Sequence, residues 1–246
     1  MLNVTARLDL IRTIVETLGV VVEEARLDFS ADGLIVRVVD PSHVAMIKME
    51  VDSAVFETWE VDETNLGLEM RKLKEFLSLG SSDDLVELKY DDVSGQATVH
   101  LGRIHLNLRP LDNSTLNPPN VPSLELPCGV TIAGADLSQA LRAARQVGDL
   151  VNFTLDDKLF SVNVQGSTDS VNVEFSKDEL VAIDCNEPAH SQYSLTYLIP
   201  MTKIFSGMKN VNLRFGENFP LKLNFDFADG AGHVEYFLAP RVEGDY

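Results

Sequence analysis

Apolar residues in this 246-residue chain recur with two periods, and the switches between them predict its elements. Over 9–22, Leu10, Ile11, Ile14, Val15 and Leu18 share one helical face, with Arg12, Thr13 and Glu16 opposite. Asp9 is a suitable N-cap and Gly19 a suitable stop. The period then drops to two. Ala25, Leu27 and Phe29 alternate over 24–32, Asp32-Gly33 makes a turn, and a second run covers 34–39, so the pair predicts a hairpin. After Asp40-Pro41-Ser42-His43, residues 44–51 alternate again and 56–62 form a further strand. Helical spacing returns over 66–79 through Leu66, Met70, Leu73, Phe76 and Leu77, with Arg71, Lys72 and Lys74 off the stripe. Strands at 85–90, Gln96–Leu101 and Ile104–Leu108 complete the first half.

The second half repeats this order. A helix over 136–147 sets Leu137, Ala140, Leu141 and Ala144 on one side and Arg142 and Arg145 on the other, with Gly148 as terminator. Asn152 to Asp157 answers Asp28 to Gly33. Strands follow at Leu159–Gln165, 170–175 and 179–183, then a helical stretch at 195–208 and strands at Val211–Phe215, Leu221–Phe227 and 233–238. Pro200 falls inside that stretch, so the helix is expected to start or kink there. Phe29 to Phe153, Leu68 to Leu195 and Val86 to Val211 are offset by 124, 127 and 125 residues. A near-constant offset through several elements marks an internal duplication.

Between the copies, 110–127 holds five of the chain's ten prolines and neither period. Each proline removes a backbone donor and extends the residue before it, which predicts a stretched strap over the surface. The expected organisation is therefore a domain at 1–110, a connecting loop at 111–127 and a second domain at 128–246, in an α+β fold with two helices packed on antiparallel sheets in each domain.

No apolar run approaches the length needed to cross a bilayer, and the amino terminus lacks a signal peptide's basic flank and apolar block. Cys128 and Cys185 are the only cysteines. They are too few for a disulfide framework or zinc cluster, and reduced thiols in a cytoplasmic protein are expected.

Charge changes the picture most. Thirty-eight acidic residues against twenty basic ones give a net charge of −18, a surface that repels nucleic acid unless positive charge is concentrated somewhere. Only nine of the twenty are Lys, and such acidity fits a protein kept soluble in concentrated salt. The helical stretches carry Arg12, Arg71, Lys72, Lys74, Arg142, Arg145 and Lys203, with Lys209 just past the last. Against Asp9, Glu16, Glu69, Glu75 and Asp136 that group nets +3, leaving −21 for the remainder. Polar helix faces ordinarily carry mixed charge. Recurrence on a duplicated unit points instead to a surface aimed at one polyanion. With no zinc spacing, helix-turn-helix or aromatic stacking motif, contact would be with phosphates and indifferent to sequence.

Several short motifs resemble those of proliferating cell nuclear antigen, the archaeal and eukaryotic sliding clamp. They are Asp40-Pro41-Ser42-His43-Val44-Ala45 after the hairpin Ser30-Ala31-Asp32-Gly33-Leu34, Gly148-Asp149, Asn186-Glu187-Pro188 and Tyr236-Phe237-Leu238-Ala239-Pro240, in order along the chain. With the acidity, the resemblance indicates a halophilic archaeal source. It implies a ring of three subunits that encloses duplex DNA, has no catalytic activity or cofactor, and acts in the cytoplasm of a prokaryotic cell. Through short client peptides the ring would tether replicative polymerase, clamp loader, ligase and flap nuclease.

By the resemblance, Arg12, Lys74, Arg142 and Lys203 match basic bore residues; Arg71, Lys72, Arg145 and Lys209 extend that set on the helical pattern. Gly19 and Gln139 fall where relatives often carry a basic residue. The client pocket would take Val39, His43, Met46, Val121, Pro122, Pro220, Phe237, Ala239 and Pro240, an apolar cup for a short helix with aromatic anchors. Subunits would join through edge strands, Ile104, Leu106, Leu108 and Arg109 on one chain meeting Val171, Val173 and Phe175 on the next.

Two other readings stay open. Asp40 with His43 could be drawn as an acid–base couple or metal site, although the chain has no Ser-centred elbow, His-Glu-x-x-His or phosphate loop. The chain could also be a clamp specialised for damage signalling, or one member of a mixed ring.

Overall fold

A computed structural model describes residues 1–242. They divide into two compact units, Met1–Val121 with Phe227–Val234, and Pro122–Asp226 with the chain from Glu235 on. The division falls inside the proline-rich segment.

Unit 1 runs β1 (Leu2–Arg7), α1 (Leu8–Leu18), β2 (Glu24–Phe29), β3 (Gly33–Val39), β4 (Ala45–Asp52), β5 (Thr58–Val61), β6 (Thr64–Glu69), α2 (Met70–Leu77), β7 (Leu85–Asp91), β8 (Gln96–Leu101) and β9 (Ile104–Leu108). One antiparallel sheet has the order β5-β1-β7-β8-β9, and β4, β3, β2 and β6 neighbour one another in a second. Alternation sends Val4, Leu27, Phe29, Leu34, Leu68, Val86 and Val99 inward, where they meet Ile14, Val15, Leu18, Leu73 and Leu77 of the helices. Burying such side chains stabilises the unit by about 2 kcal/mol each. The chain's one Trp, Trp59, packs on Phe56 and Phe29 and donates from Nε1 to the Ser30 carbonyl at 3.0 Å.

Unit 2 repeats the plan with β10 (Cys128–Ile132), α3 (Gly134–Arg145), β11 (Leu150–Leu155), β12 (Leu159–Gln165), β13 (Ser170–Ser176), β14 (Ala182–Cys185), β15 (Ala189–Ser194), α4 (Leu195–Phe205), β16 (Val211–Phe215) and β17 (Leu221–Phe227). β18 (Gly232–Leu238) follows, and its residues from Glu235 belong to this unit. Its sheets are ordered β13-β12-β11-β15 and β14-β10-β16-β17. Phe153, Phe160, Tyr193 and Phe215 form its aromatic centre, all fully buried. The helices meet at Gly134, where a Cβ would collide with the Phe205 carbonyl oxygen and its N–H donates to the Met208 carbonyl at 3.0 Å. No larger residue allows that approach.

The structure departs from the sequence expectations at definite places. Residues 66–69 are strand, not helix. Leu66 and Leu68 alternate into the core as part of β6, paired with β2, and the helix starts at Met70. The residue answering Leu195, the start of α4, is therefore Met70 rather than Leu68. Helix α4 begins at Leu195 and continues through Pro200 to Phe205, so Pro200 does not start it. Asp9 sits inside the first turn of α1, whose N-cap is Arg7. The strand expected at 179–183 lies at Ala182–Cys185, because Glu179 closes a turn by accepting from the Ser176 N–H and hydroxyl. Strands β1, β10 and β15 were not anticipated.

The cysteines also differ from expectation. Cys128 and Cys185 are directly opposite residues of β10 and β14, and they form a disulfide. Fifty-seven residues separate them in sequence, and only the β10–β14 register brings them together.

Candidate nucleic-acid and partner interfaces

In each unit the two helices lie side by side, and their solvent faces carry most of the basic residues singled out above. On unit 1, Arg71, Lys72 and Lys74 of α2 are exposed. Lys72 pairs with Glu69 at 3.0 Å, and Lys74 approaches Glu16 of α1 at 3.8 Å. Arg12 behaves differently. Its guanidinium is half-buried and donates from one Nη to the carbonyls of Leu77 and Gly80, at 3.0 and 3.4 Å, which ties α1 to the end of α2. Leu77 closes α2, where carbonyls lack intrahelical partners and the dipole favours a cation.

On unit 2, Arg142, Arg145, Lys203 and Lys209 are exposed. Arg145 pairs with Asp149, and Arg142 donates from Nε to the Ser138 carbonyl one turn back, at 3.2 Å. Arg71, Lys203 and Lys209 have no ion-pair partner among the described residues. Each unit thus presents a helical layer with free or loosely paired cations.

The partner-binding candidates fall in both units. On unit 1, Val39 and Met46 are directly opposite residues of β3 and β4. His43 stands exposed in the turn between them with a φ of 57°, in the left-handed region that His tolerates better than most residues. Asp40 holds this turn. Its carboxylate accepts the N–H groups of Ser42, Val44 and Ala45 at 2.9, 2.6 and 2.6 Å. The Asp40 carboxylate thus fixes the turn that presents His43.

Beside the turn lies a cleft of about 680 Å³ lined by Val39, Pro41 and His43, by Val20, Val21 and Leu116, and by the acidic Glu23, Glu24 and Asp40. Val20 and Val21 follow the end of α1, past the expected stop at Gly19, and were given no role in the sequence. Three consecutive valines after Gly19, too many for one helical face, were the available signal. Val121 is half-buried at the end of unit 1, and Pro122, exposed, begins unit 2.

On unit 2, Phe237 is buried with Lys222 Nζ 5.5 Å from its ring centroid, and Ala239 and Pro240 are half-buried beyond β18. Pro220 follows Phe219, whose carbonyl accepts from Tyr193 Oη at 2.8 Å and Ser191 Oγ at 3.2 Å. Burial pushes the Tyr193 phenol well above its ordinary pKa, so it stays a donor there.

The two candidate subunit edges are edges in fact: β9 ends the β5-β1-β7-β8-β9 sheet and β13 ends the β13-β12-β11-β15 sheet. Ile104 and Arg109 are exposed and Leu106 half-buried, while Leu108 is turned into the core of unit 1. On β13, Val171, Val173 and Phe175 are half-buried, with Phe175 stacked on Phe160.

Among the described residues no group of three or more His, Cys, Asp or Glu side chains is arranged to hold a metal ion, and no helix is long and apolar enough to cross a membrane.

A repeated α+β unit with paired helices on one layer, open sheet edges and a cleft beside a strap defines the chain as a protein of the DNA clamp fold. Residues 3–103 match the model of the proliferating cell nuclear antigen N-terminal domain, and residues 120–241 that of its C-terminal domain. The chain belongs to the proliferating cell nuclear antigen family. It is 34% identical over 237 residues to the DNA polymerase sliding clamp of Methanococcoides burtonii, covering 96% of each chain. It is 33% identical over 240 residues to that of Halobacterium salinarum, covering 96% of this chain and 97% of the other. Among solved structures, A. fulgidus PCNA, determined with the C-terminal region of FEN-1 bound, superposes with a TM-score of 0.93 at 30% identity and full coverage of both chains. PCNA of Thermococcus kodakaraensis shares the fold, with a TM-score of 0.90 at 22% identity over 98% of this chain and all of the other.

Proposed function

We propose that this chain is a DNA sliding clamp and polymerase processivity factor, working as a homotrimeric ring around duplex DNA and tethering replication and repair enzymes. The observation that carries the reading is the duplicated helical layer. Both units bear it, and both leave cations on it that no carboxylate holds tightly. Encirclement removes the need for a strong grip, so a few loose phosphate contacts suffice and permit movement along the duplex. The remainder of the chain, at −21, discourages DNA from settling elsewhere.

The eight basic residues face the DNA in this reading, with Arg12 contributing its charge from a half-buried position. Edge strands β9 and β13 of successive subunits pair head to tail and so close the ring. Client peptides of polymerase, clamp loader, ligase and flap nuclease dock by aromatic anchors, and the cleft lined by Val39 and His43 serves them on unit 1. The flap-nuclease segment bound to A. fulgidus PCNA supports this kind of partner. The clamp catalyses no reaction itself and works at the nucleoid, inside the cell.

Retention on DNA tests the proposal. Protein loaded on nicked circular duplex is expected to stay bound through a high-salt wash and to be lost when the circle is cut. Equal retention on circular and linear DNA, or a monomer in light scattering at every salt concentration, would overturn it.

A further inference from the structure

Three cations lie in one line across the outward face of the β2-β3-β4 sheet in unit 1. Arg37 is directly opposite Lys48. Carrying the β2–β3 register one residue past Leu27 and Val36 sets Arg26 opposite Arg37 on its other side. Like charges directly opposite one another destabilise a sheet, so such a row calls for carboxylates beside it.

The neighbouring row supplies them unevenly. Asp28 and Glu50 are both opposite Ile35. Asp28 holds Arg26 at 2.7 Å, and Glu50 holds Lys48 at 2.9 Å. Asn65, with its amide turned to serve both neighbours, donates to Asp28 and accepts from Arg26, which closes that group. The position that would serve Arg37 is occupied by Ile35. Arg37 accordingly has no ion-pair partner among the described residues, and its Nε is buried without an acceptor. A chain with 38 acidic residues was not short of carboxylates to place there.

Arg37 opens into a groove of about 160 Å³ that runs from the sheet to Thr115, Leu116 and Pro119 of the strap. Glu24 is the one carboxylate on its lining, at the start of β2. The groove shares Val22, Glu24, Val39 and Leu116 with the cleft described above, so an occupant of the cleft that continues along the strap reaches Arg37.

We propose that this groove receives a carboxylate from an acidic flank of a client peptide, gripped by the Arg37 guanidinium. The parallel N–H donors of the guanidinium match the two carboxylate oxygens, and Arg37 has no ion-pair partner of its own to displace among the described residues. Elsewhere the acidic surface repels such a flank, so the row of cations also orients its approach. The inference rests on the cleft being the client site.

Calorimetry with two synthetic peptides, identical aromatic anchors followed by Glu-Glu or by Gln-Gln, tests it at the lowest salt at which the protein stays folded. The Glu-Glu peptide is expected to bind the native chain roughly tenfold more tightly. Arg37→Gln removes that preference and leaves the Gln-Gln affinity unchanged, while Arg37→Lys restores part of it. A preference that survives Arg37→Gln, or equal weakening of both peptides, overturns the proposal. If neither peptide binds the native chain, the client reading of the cleft fails. The groove is then decided by titrating N-acetylglutamate amide against the Arg37 Nε–H resonance, whose failure to shift in the native chain sinks the carboxylate site as well.

Discussion

Arg12 separates two roles that a basic helix residue can have, and Arg12→Met tells them apart. The substitution keeps an apolar stem of similar length but removes the donor to the Leu77 and Gly80 carbonyls. At 3.4 Å the second contact is close to the limit of a hydrogen bond, so most of the effect comes from the first, at 3.0 Å. A charged donor on a partly buried carbonyl contributes about 1.5 kcal/mol. The cation at the end of α2 adds about 0.5 kcal/mol through the helix dipole. For a unit of this size the unfolding entropy is about 0.27 kcal/mol per degree, so a loss of about 2 kcal/mol lowers the midpoint of unit 1 by about 7 °C. Arg71→Met is the control, since Arg71 is exposed without an ion-pair partner and its loss costs less than about 0.5 kcal/mol. Scanning calorimetry at one protein concentration and one salt concentration gives both numbers, because assembly makes the midpoint depend on concentration. Equal midpoints for the two variants would refute the reasoning and return Arg12 to the solvent face.

Three further outcomes are expected. Val173→Glu on β13 puts a charge on a half-buried position of the proposed ring edge, and light scattering should find monomer where the native chain is trimer; an unchanged mass removes β13 from the interface. Gly134→Ala drives a methyl into the Phe205 carbonyl and should destabilise unit 2 by about 3 kcal/mol in urea titration; a loss below about 0.5 kcal/mol would mean that α3 and α4 separate freely. Reducing the Cys128–Cys185 bond, which closes a loop of 57 residues, should lower unit 2 stability by about 2–4 kcal/mol, and a thiol count of two before any reductant would contradict the bond.

The parts of the fold that were legible are those bounded by punctuation. The hairpin around Asp32-Gly33 was plain because a turn separates two runs of one period, and β2 and β3 pair across it. Two of the three unanticipated strands have the opposite property. β1 passes into α1 at Arg7–Leu8, and β15 into α4 at Ser194–Leu195, with no residue between. β6 meets α2 in the same way at Glu69–Met70, so Leu66 and Leu68 were absorbed into a helical stripe that their neighbours completed. A period change without a loop leaves no mark in a window longer than either segment. The cysteine pair was hidden for a different reason, because it depends on the register of two strands 57 residues apart. The candidate site was legible where it is a helix face, since spacing alone sets Lys74 beside the core stripe. Arg26, Arg37 and Lys48 lie on three separate strands, and their alignment exists only once those strands are in register.

That alignment changes how the charge balance works. The −21 remainder of the chain is not a uniform shell, because it contains a row of cations across the β2-β3-β4 sheet. On the helices, acids stand near several cations: Glu69 by Lys72, Glu16 by Lys74 and Asp149 by Arg145. Phosphates must compete with these carboxylates, which weakens each contact and favours movement over capture. On the sheet the acids are spaced to quench Arg26 and Lys48 and to leave Arg37 open. In the proposed reading the same residue types serve a non-specific polyanion on one layer and a single directional acceptor on the other. Placement of the carboxylates, rather than the count of cations, sets which kind of partner each layer can hold.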